Sequence, residues 1–302
     1  MKLIVKIIAA CLLIGVAVVA VLLLPAHLQV RDVNPALPSE ESLRALLAVD
    51  GSPSRVSFVT TSSQHYDEGV LGHNSVLVEW PNGDMVMLDA GMDEIKAVEF
   101  ADLMQTLLGA EPPQIQGGIA SLLGDDIGRV KAVGFTHLHI DHTQGVLNFC
   151  EARGEGALAL QTVYQRDLHN FNTEEGAAIV VDSCLQTEVF PGDGLISFER
   201  FPGLAMYPLG GHTPGSTLFA VADGERLLLF SGDITNTRAE ILEDRGKGFI
   251  YSYLMVPENT ARTARLREWL GGLDQRDDID VVVSHDYEAM KRLLLPFGAG
   301  QD

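Results

Sequence analysis

The chain has little cysteine, little basic charge and little histidine, and each shortage narrows what it can be. Three cysteines in 302 residues are too few for a scaffold built on disulfides, and none is spaced as a zinc-binding thiolate pair. Basic side chains number 21 against 41 acidic ones, a net charge of -20. Such a surface repels phosphate backbones, so no long nucleic acid is expected as partner, and it disfavours broad docking on anionic lipid. Low-complexity segments and short-period repeats are absent. Long apolar runs are also absent, with one exception at the N-terminus. Nine histidines are present, and three of them fall within six positions.

The exception reads MKLIVKIIAACLLIGVAVVAVLLLPAH, uncharged from residue 7 to residue 24. That is long enough to cross a hydrocarbon core. Lys2 and Lys6 lie on its N-terminal flank, so the positive-inside rule predicts a cytoplasmic N-terminus and an extracytoplasmic, periplasmic domain on a single-pass anchor. A cleaved signal segment with secretion is the alternative. Ile8-Ala9-Ala10-Cys11 is a poor lipoprotein box, because the apolar run continues past Cys11. We divide the chain into an anchor at 1–27, a tether and short helix at 28–53, and one domain at 54–302. An extracytoplasmic domain leaves Cys150 and Cys184 free to pair; two buried thiols satisfy the sequence equally.

Within the domain, RVSFVTTS alternates as a strand. SVLVEW and MVMLDAG form a hairpin about Asn82-Gly83. Residues 93–108 have helical spacing. VKAVGFT is a buried strand, 151–185 reads as mixed helix and loop, and 187–231 holds a run of short strands. ENTARTARLREWLGGL is an amphipathic helix with Trp269 in the core, IDVVVS a buried strand, and YEAMKRLLL a closing helix. Strands with interspersed helices in each half predict a layered α/β fold.

The histidine cluster is THLHIDHTQG. His137 and His139 stand two apart, so an extended backbone sends both side chains to one side, where they can hold one metal ion. Asp141 and His142 follow as the chain turns into a helix, and they can serve a second ion nearby. Imidazole with carboxylate suits zinc, with iron or manganese also accepted. Other apolar runs end at Asp89, Asp233 and His285, and His212 lies in the glycine-bounded turn GGHTPGS. Taken singly, Asp233 and His285 read as helix caps and His212 as a turn residue.

The ordered set LDAG, THLHIDH, GGHTPGS, SGD and VVSHD resembles the metallo-β-lactamase superfamily. The resemblance implies an αββα sandwich with its site at one edge, here preceded by an N-terminal transmembrane helix. It implies a first ion on His137, His139 and His212, a second on Asp141, His142 and His285, and Asp233 between them. Asp89 would support the histidines from behind. Two cations would ionise a shared water for attack on a carbonyl, with Asp141 orienting the nucleophile or relaying its proton. No serine or cysteine triad competes. Asp233 resembles the lactonase and glyoxalase II-like branches, although Ser216 stands where these often have a second histidine. The expected activity is therefore hydrolysis of a carboxylic ester in a small molecule, a lactone ahead of a thioester. Alternatives are β-lactamase or phosphodiesterase activity at the same centre, an iron-dependent sulfur dioxygenase with one metal, and a non-catalytic binding module.

Outside this set, His73 reads as a capping or packing residue, with a place in the pocket as the alternative. His65 and Tyr66 fall in a loop able to overhang the site. His169 lies in the variable middle region, and 238–253 is a candidate lid whose aromatics can line an apolar pocket.

Overall fold

In the computed structural model, which describes residues 2–66 and 69–298, two sheets face each other with helices on both outer sides. The strands are β1 (Arg55–Tyr66), β2 (Gly69–Glu79), β3 (Met85–Leu88), β4 (Gln114–Ile115), β5 (Val130–Gly134), β6 (Leu158–Thr162), β7 (Gln186–Phe190), β8 (Ile196–Phe198), β9 (Phe201–Pro208), β10 (Thr217–Asp223), β11 (Arg226–Phe230), β12 (Ile279–Val282) and β13 (Leu295–Pro296). The first sheet runs β13-β1-β2-β3-β5-β6-β7, with β4 beside β1, and the second runs β12-β11-β10-β9-β8. β3, β5, β6 and β7 are mutually parallel, as are β11 and β12.

Strand periodicity explains the layering. Val76, Val78, Val86 and Leu88 face the second sheet, where they meet Phe219, Val221, Leu228 and Phe230. Their neighbours Leu77, Met85 and Met87 point the other way, onto Ile119, Val146 and Phe149 of the outer helices. Leu227 and Leu229 likewise leave the central layer to pack on Leu266 and Leu270. Successive residues of one strand thus serve two cores, which is why these runs are apolar without alternation. The αββα sandwich expected from the sequence is the fold observed.

Three details differ from the sequence reading. LALQT, placed in a mixed helix and loop region, is the parallel strand β6. A short parallel strand buried on both sides carries no period-2 signature. His65 and Tyr66 belong to β1, not to a loop, because β1 and β2 stay paired out to Tyr66 and Gly69. His73 lies inside β2 instead of preceding a strand. Trp269 is partly buried against the outer core of the second sheet.

The N-terminal helix spans Lys2–Asp32 and is long and apolar enough to cross a membrane, with a mean hydropathy of 3.3 over its most apolar 18 residues. It therefore continues past residue 27. The segment that follows lies against the sandwich: Val30 and Val33 are fully buried. Asn34 Oδ1 accepts from Arg262 and Arg265, and the Ala36 carbonyl accepts from the Tyr207 hydroxyl at 2.9 Å. Leu43 and Leu46 enter the outer core of the second sheet. Cys150 and Cys184 are disulfide-bonded, with their Cα atoms 5.5 Å apart.

Candidate metal centre

Parallel pairing brings the ends of β3, β5, β11 and β12 to one edge of the sandwich, and the chain leaves each of them through a polar residue. Carboxyl ends of parallel strands are where open α/β sheets place their ligands. Asp89 follows β3, His137 and His139 follow β5, Asp233 follows β11, and His285 follows β12. Asp141 and His142 lie in the helical turn Ile140–Thr143. His212 comes from the turn between β9 and β10. Ser216 closes that turn, its Oγ accepting from Thr213 N at 2.9 Å. Glycine permits the tight approaches beneath the site. A Cβ on Gly145 would sit 2.0 Å from the Ala90 carbonyl oxygen, and Gly145 N donates to the Gly91 carbonyl at 2.8 Å.

The potential ligand atoms gather into three groups, of which the first two share His137: His137, His139 and His212; His137, His142 and Asp233; and His73, Asp141 and His285. Within each group they lie within 4.8 Å of one another. His137 Nε2 is 2.9 Å from His139 Nδ1. His285 Nε2 lies 3.2 Å from Asp141 and 3.1 Å from Asp233. His142 Nε2 lies 3.6 Å from each of the same carboxylates, and His212 Nε2 is 3.9 Å from Asp233.

Partners on the far side of each ring decide which nitrogen faces inward. His142 Nδ1 donates to Asp89 Oδ2 at 2.9 Å, His212 Nδ1 to Glu258 Oε1 at 2.6 Å, and His285 Nδ1 to the Gly72 carbonyl at 2.9 Å. Asp89 also accepts from the Thr136 amide and hydroxyl, both at 2.7 Å. The Nε2 atoms of His73, His139, His142 and His212, and Asp233 Oδ1, are buried with no hydrogen-bond partner among the described residues. Orphaned donors of this kind, aimed into one small space, carry a desolvation cost that a bound cation offsets. Nitrogen and carboxylate oxygen are the donor set of borderline divalent ions. The residues present therefore fit divalent metal.

Burial disfavours charge on these rings. It holds His137 far below the usual imidazole range, with neighbouring His142 adding to the effect. It brings His139 to about 3, reinforced by His212, and His73 to about 3, reinforced by His285. His285 moves the other way: Asp233 and Asp141 overcome burial and raise it well above its ordinary value. Asp233 is in turn held far below the carboxylate range despite its burial, by His285 first and then by Lys247.

Lys247 and Tyr251 come from the candidate lid. The Lys247 side chain is 1% exposed and its Nζ lies 3.8 Å from Asp233. It sits 4.8 Å from the Tyr251 ring centre, and that ring stacks over His212 at 6.4 Å. Tyr251–Met255 forms one π-helical turn, a distortion frequent at functional sites. Its outer side, with Phe249, Tyr253 and Leu254, faces the N-terminal helix across an apolar groove of about 620 Å³. His65 is exposed, and His169 bonds locally to the Arg166 carbonyl; neither reaches the donor groups. Glu258, Thr136, Lys247 and Tyr251 were not singled out from the sequence. Glu258, Lys247 and Tyr251 come from the lid and its flank, and Thr136 opens the histidine motif without itself being a candidate donor; only the lid's aromatics left a trace.

A family model described as the metallo-beta-lactamase superfamily matches residues 69–286. No curated protein matches the sequence. Among solved structures, the fold is similar to an N-acyl homoserine lactone hydrolase with the product N-hexanoyl-L-homoserine at its catalytic metal centre. The two share 16% identity and a TM-score of 0.58 over 81% of this chain and 98% of that one. A mutant of B. thuringiensis AiiA with N-decanoyl-L-homoserine at its active site gives 15% identity and 0.58, over 81% and 98%. AidC, a dizinc quorum-quenching lactonase, gives 15% and 0.51, over 72% and 74%. The sandwich, the donor groups at its edge and the family match together place the chain in the metallo-β-lactamase superfamily, as a metal-dependent hydrolase of that fold.

Proposed function

We propose that this chain hydrolyses a carboxylic ester, a lactone ahead of a thioester or an open ester, using two divalent ions, with zinc first and iron or manganese as alternatives. His137, His139 and His212 would hold one ion, Asp141, His142 and His285 the other, and Asp233 both. Such a pair, when bound, lowers the pKa of a water and polarises a carbonyl.

The observation that carries this reading is the position of Asp233. Its carboxylate is 5% exposed and lies within 3.9 Å of His142, His212 and His285, which belong to both donor sets. A carboxylate there can serve two ions at once, as the lactonase-like and glyoxalase II-like branches require. The acyl-homoserine ligands of the similar folds, one of them the product bound to a lactone hydrolase, support the same substrate class. In this reading Asp141, whose Oδ2 meets His285 Nε2 at 3.2 Å, orients the nucleophile or relays its proton through one carboxylate oxygen. After His285, Lys247 helps hold the Asp233 carboxylate ionised, from outside the donor groups. The N-terminal helix supports a single-pass anchor with the catalytic domain in the periplasm, and the Cys150–Cys184 bond suits an oxidising compartment.

The test is a panel of lactones, thioesters, β-lactams and phosphodiesters, offered to full-length protein in detergent with its metal quantified in the same sample. Turnover of lactones or thioesters with two ions per chain is expected. Turnover restricted to phosphodiesters or to β-lactams overturns the substrate class. One iron per chain with oxygen consumption overturns the hydrolytic reading.

A further inference from the structure

His73 is the one ring at the centre that the motif set leaves without a role. It comes from β2, in the other half of the chain from His212, Asp233 and His285. The backbone determines where it points. Gly72 and the His285 turn are tied twice, Gly72 N donating to the His285 carbonyl at 3.0 Å and His285 Nδ1 donating to the Gly72 carbonyl at 2.9 Å. On the other flank, Asn74 Nδ2 donates to the Ser284 carbonyl at 2.8 Å. Both neighbours of His73 are therefore fixed to the turn that carries a donor. The β1–β2 register shifts between Thr60 and Ser62, which sets Ser62 opposite His73. A bulge of this kind re-aims a side chain beside a site.

The ring is held as strictly as its backbone. Nδ1 is 2.8 Å from Ser62 Oγ, and Phe100 and His285 pack edge-on at 5.0 and 5.5 Å. His73 is 3% exposed. Its Nε2 is buried without a partner among the described residues. A ring nitrogen of His73 lies with donor atoms of Asp141 and His285 in a group no wider than 4.8 Å, and Nδ1 is the one already held by Ser62. A packing histidine would have both nitrogens satisfied or one in water. This one has its outer nitrogen anchored and its inner nitrogen aimed at two other donors, as metal-ligating histidines do.

We propose that His73 is a further protein donor to the second ion, beside Asp141, His142, His285 and Asp233. This rests on the two-ion reading above. It makes the centre unequal: the second ion has one more protein group than the first, and that fuller donor set favours ions that accept more than four ligands. The second site should therefore keep its ion under dialysis that strips the first.

The test uses full-length protein in detergent, stripped by chelator and titrated with cobalt(II). Stoichiometry is read by elemental analysis and ligand geometry by visible absorption. For His73→Ala and His73→Gln, the affinity of the more tightly held ion should fall about 10–100-fold. The cobalt band should shift with the loss of a nitrogen donor, and added imidazole should restore it in His73→Ala. Unfolding of the stripped proteins checks that both variants fold. Wild type and both variants giving superimposable titrations and spectra, with two ions each, overturns the role of His73 alone. A wild type that saturates at one ion overturns the two-ion reading beneath it.

Discussion

Asp89 takes a left-handed backbone conformation, with φ of 58°, that few side chains other than asparagine and aspartate adopt readily. The strained turn lets one carboxylate receive the Thr136 amide, the Thr136 hydroxyl and His142 Nδ1 together. Glu258 does the equivalent for His212 and is itself braced by Ser252 Oγ at 2.6 Å. Replacing Glu258 with alanine should leave the fold intact and weaken metal binding about 10–100-fold, as measured by competition with a chelating dye. Gly145→Ala acts through packing. The Ala90 carbonyl at 2.0 Å from the new Cβ belongs to backbone that cannot step aside. A loss of about 1–3 kcal/mol or more is expected in denaturant unfolding, together with poorer metal retention, since Ala90 follows Asp89 directly.

At the scale of elements, the N-terminal segment and the Cys150–Cys184 bond carry separate predictions. Removing residues 1–24 takes away helix that is exposed over its most apolar stretch. Removing 1–38 also takes away buried Ala26, Val30 and Val33 and the hydrogen bonds at Asn34 and Ala36. The shorter deletion should leave the melting temperature of the domain nearly unchanged, and the longer one should lower it by several degrees. The bond between Cys150 and Cys184 closes a separation of 34 residues. Replacing both with serine should cost about 3–4 kcal/mol in chemical unfolding by loop-closure entropy, while Cys11→Ser should change nothing. Elements with a marked period or turn were legible in the sequence: the Asn82-Gly83 hairpin, the helix at 94–108 and the helix at 260–274. β6 was not, because five apolar or neutral residues with parallel neighbours on both sides carry no pattern. The reach of the N-terminal helix to Asp32 was hidden for a different reason. Its last turn is polar in sequence and is held by contacts with Tyr253 and the sandwich.

For the whole molecule, the residues of the candidate centre divide by legibility according to how the chain delivers them. His137 to His142 are contiguous and follow a strand, so spacing alone groups them. His212, Asp233 and His285 needed the ordered motifs to be joined to them. His73, Glu258 and Lys247 are brought in only by long-range contacts, and no local pattern announces them. The same contacts give the centre a mechanical meaning. Potential donors descend from both sheets: His73, His137, His139, Asp141 and His142 from the first, His212, Asp233 and His285 from the second. An ion gripped by both is a rivet through the central layer, absent from an unfolded chain whose donors are scattered. Withdrawing it with a chelator should therefore loosen the sandwich as well as stop turnover, lowering the melting temperature and hastening amide exchange at the ends of β5, β11 and β12. Two leaves of β-structure that share one clasp can be pried apart from that edge first.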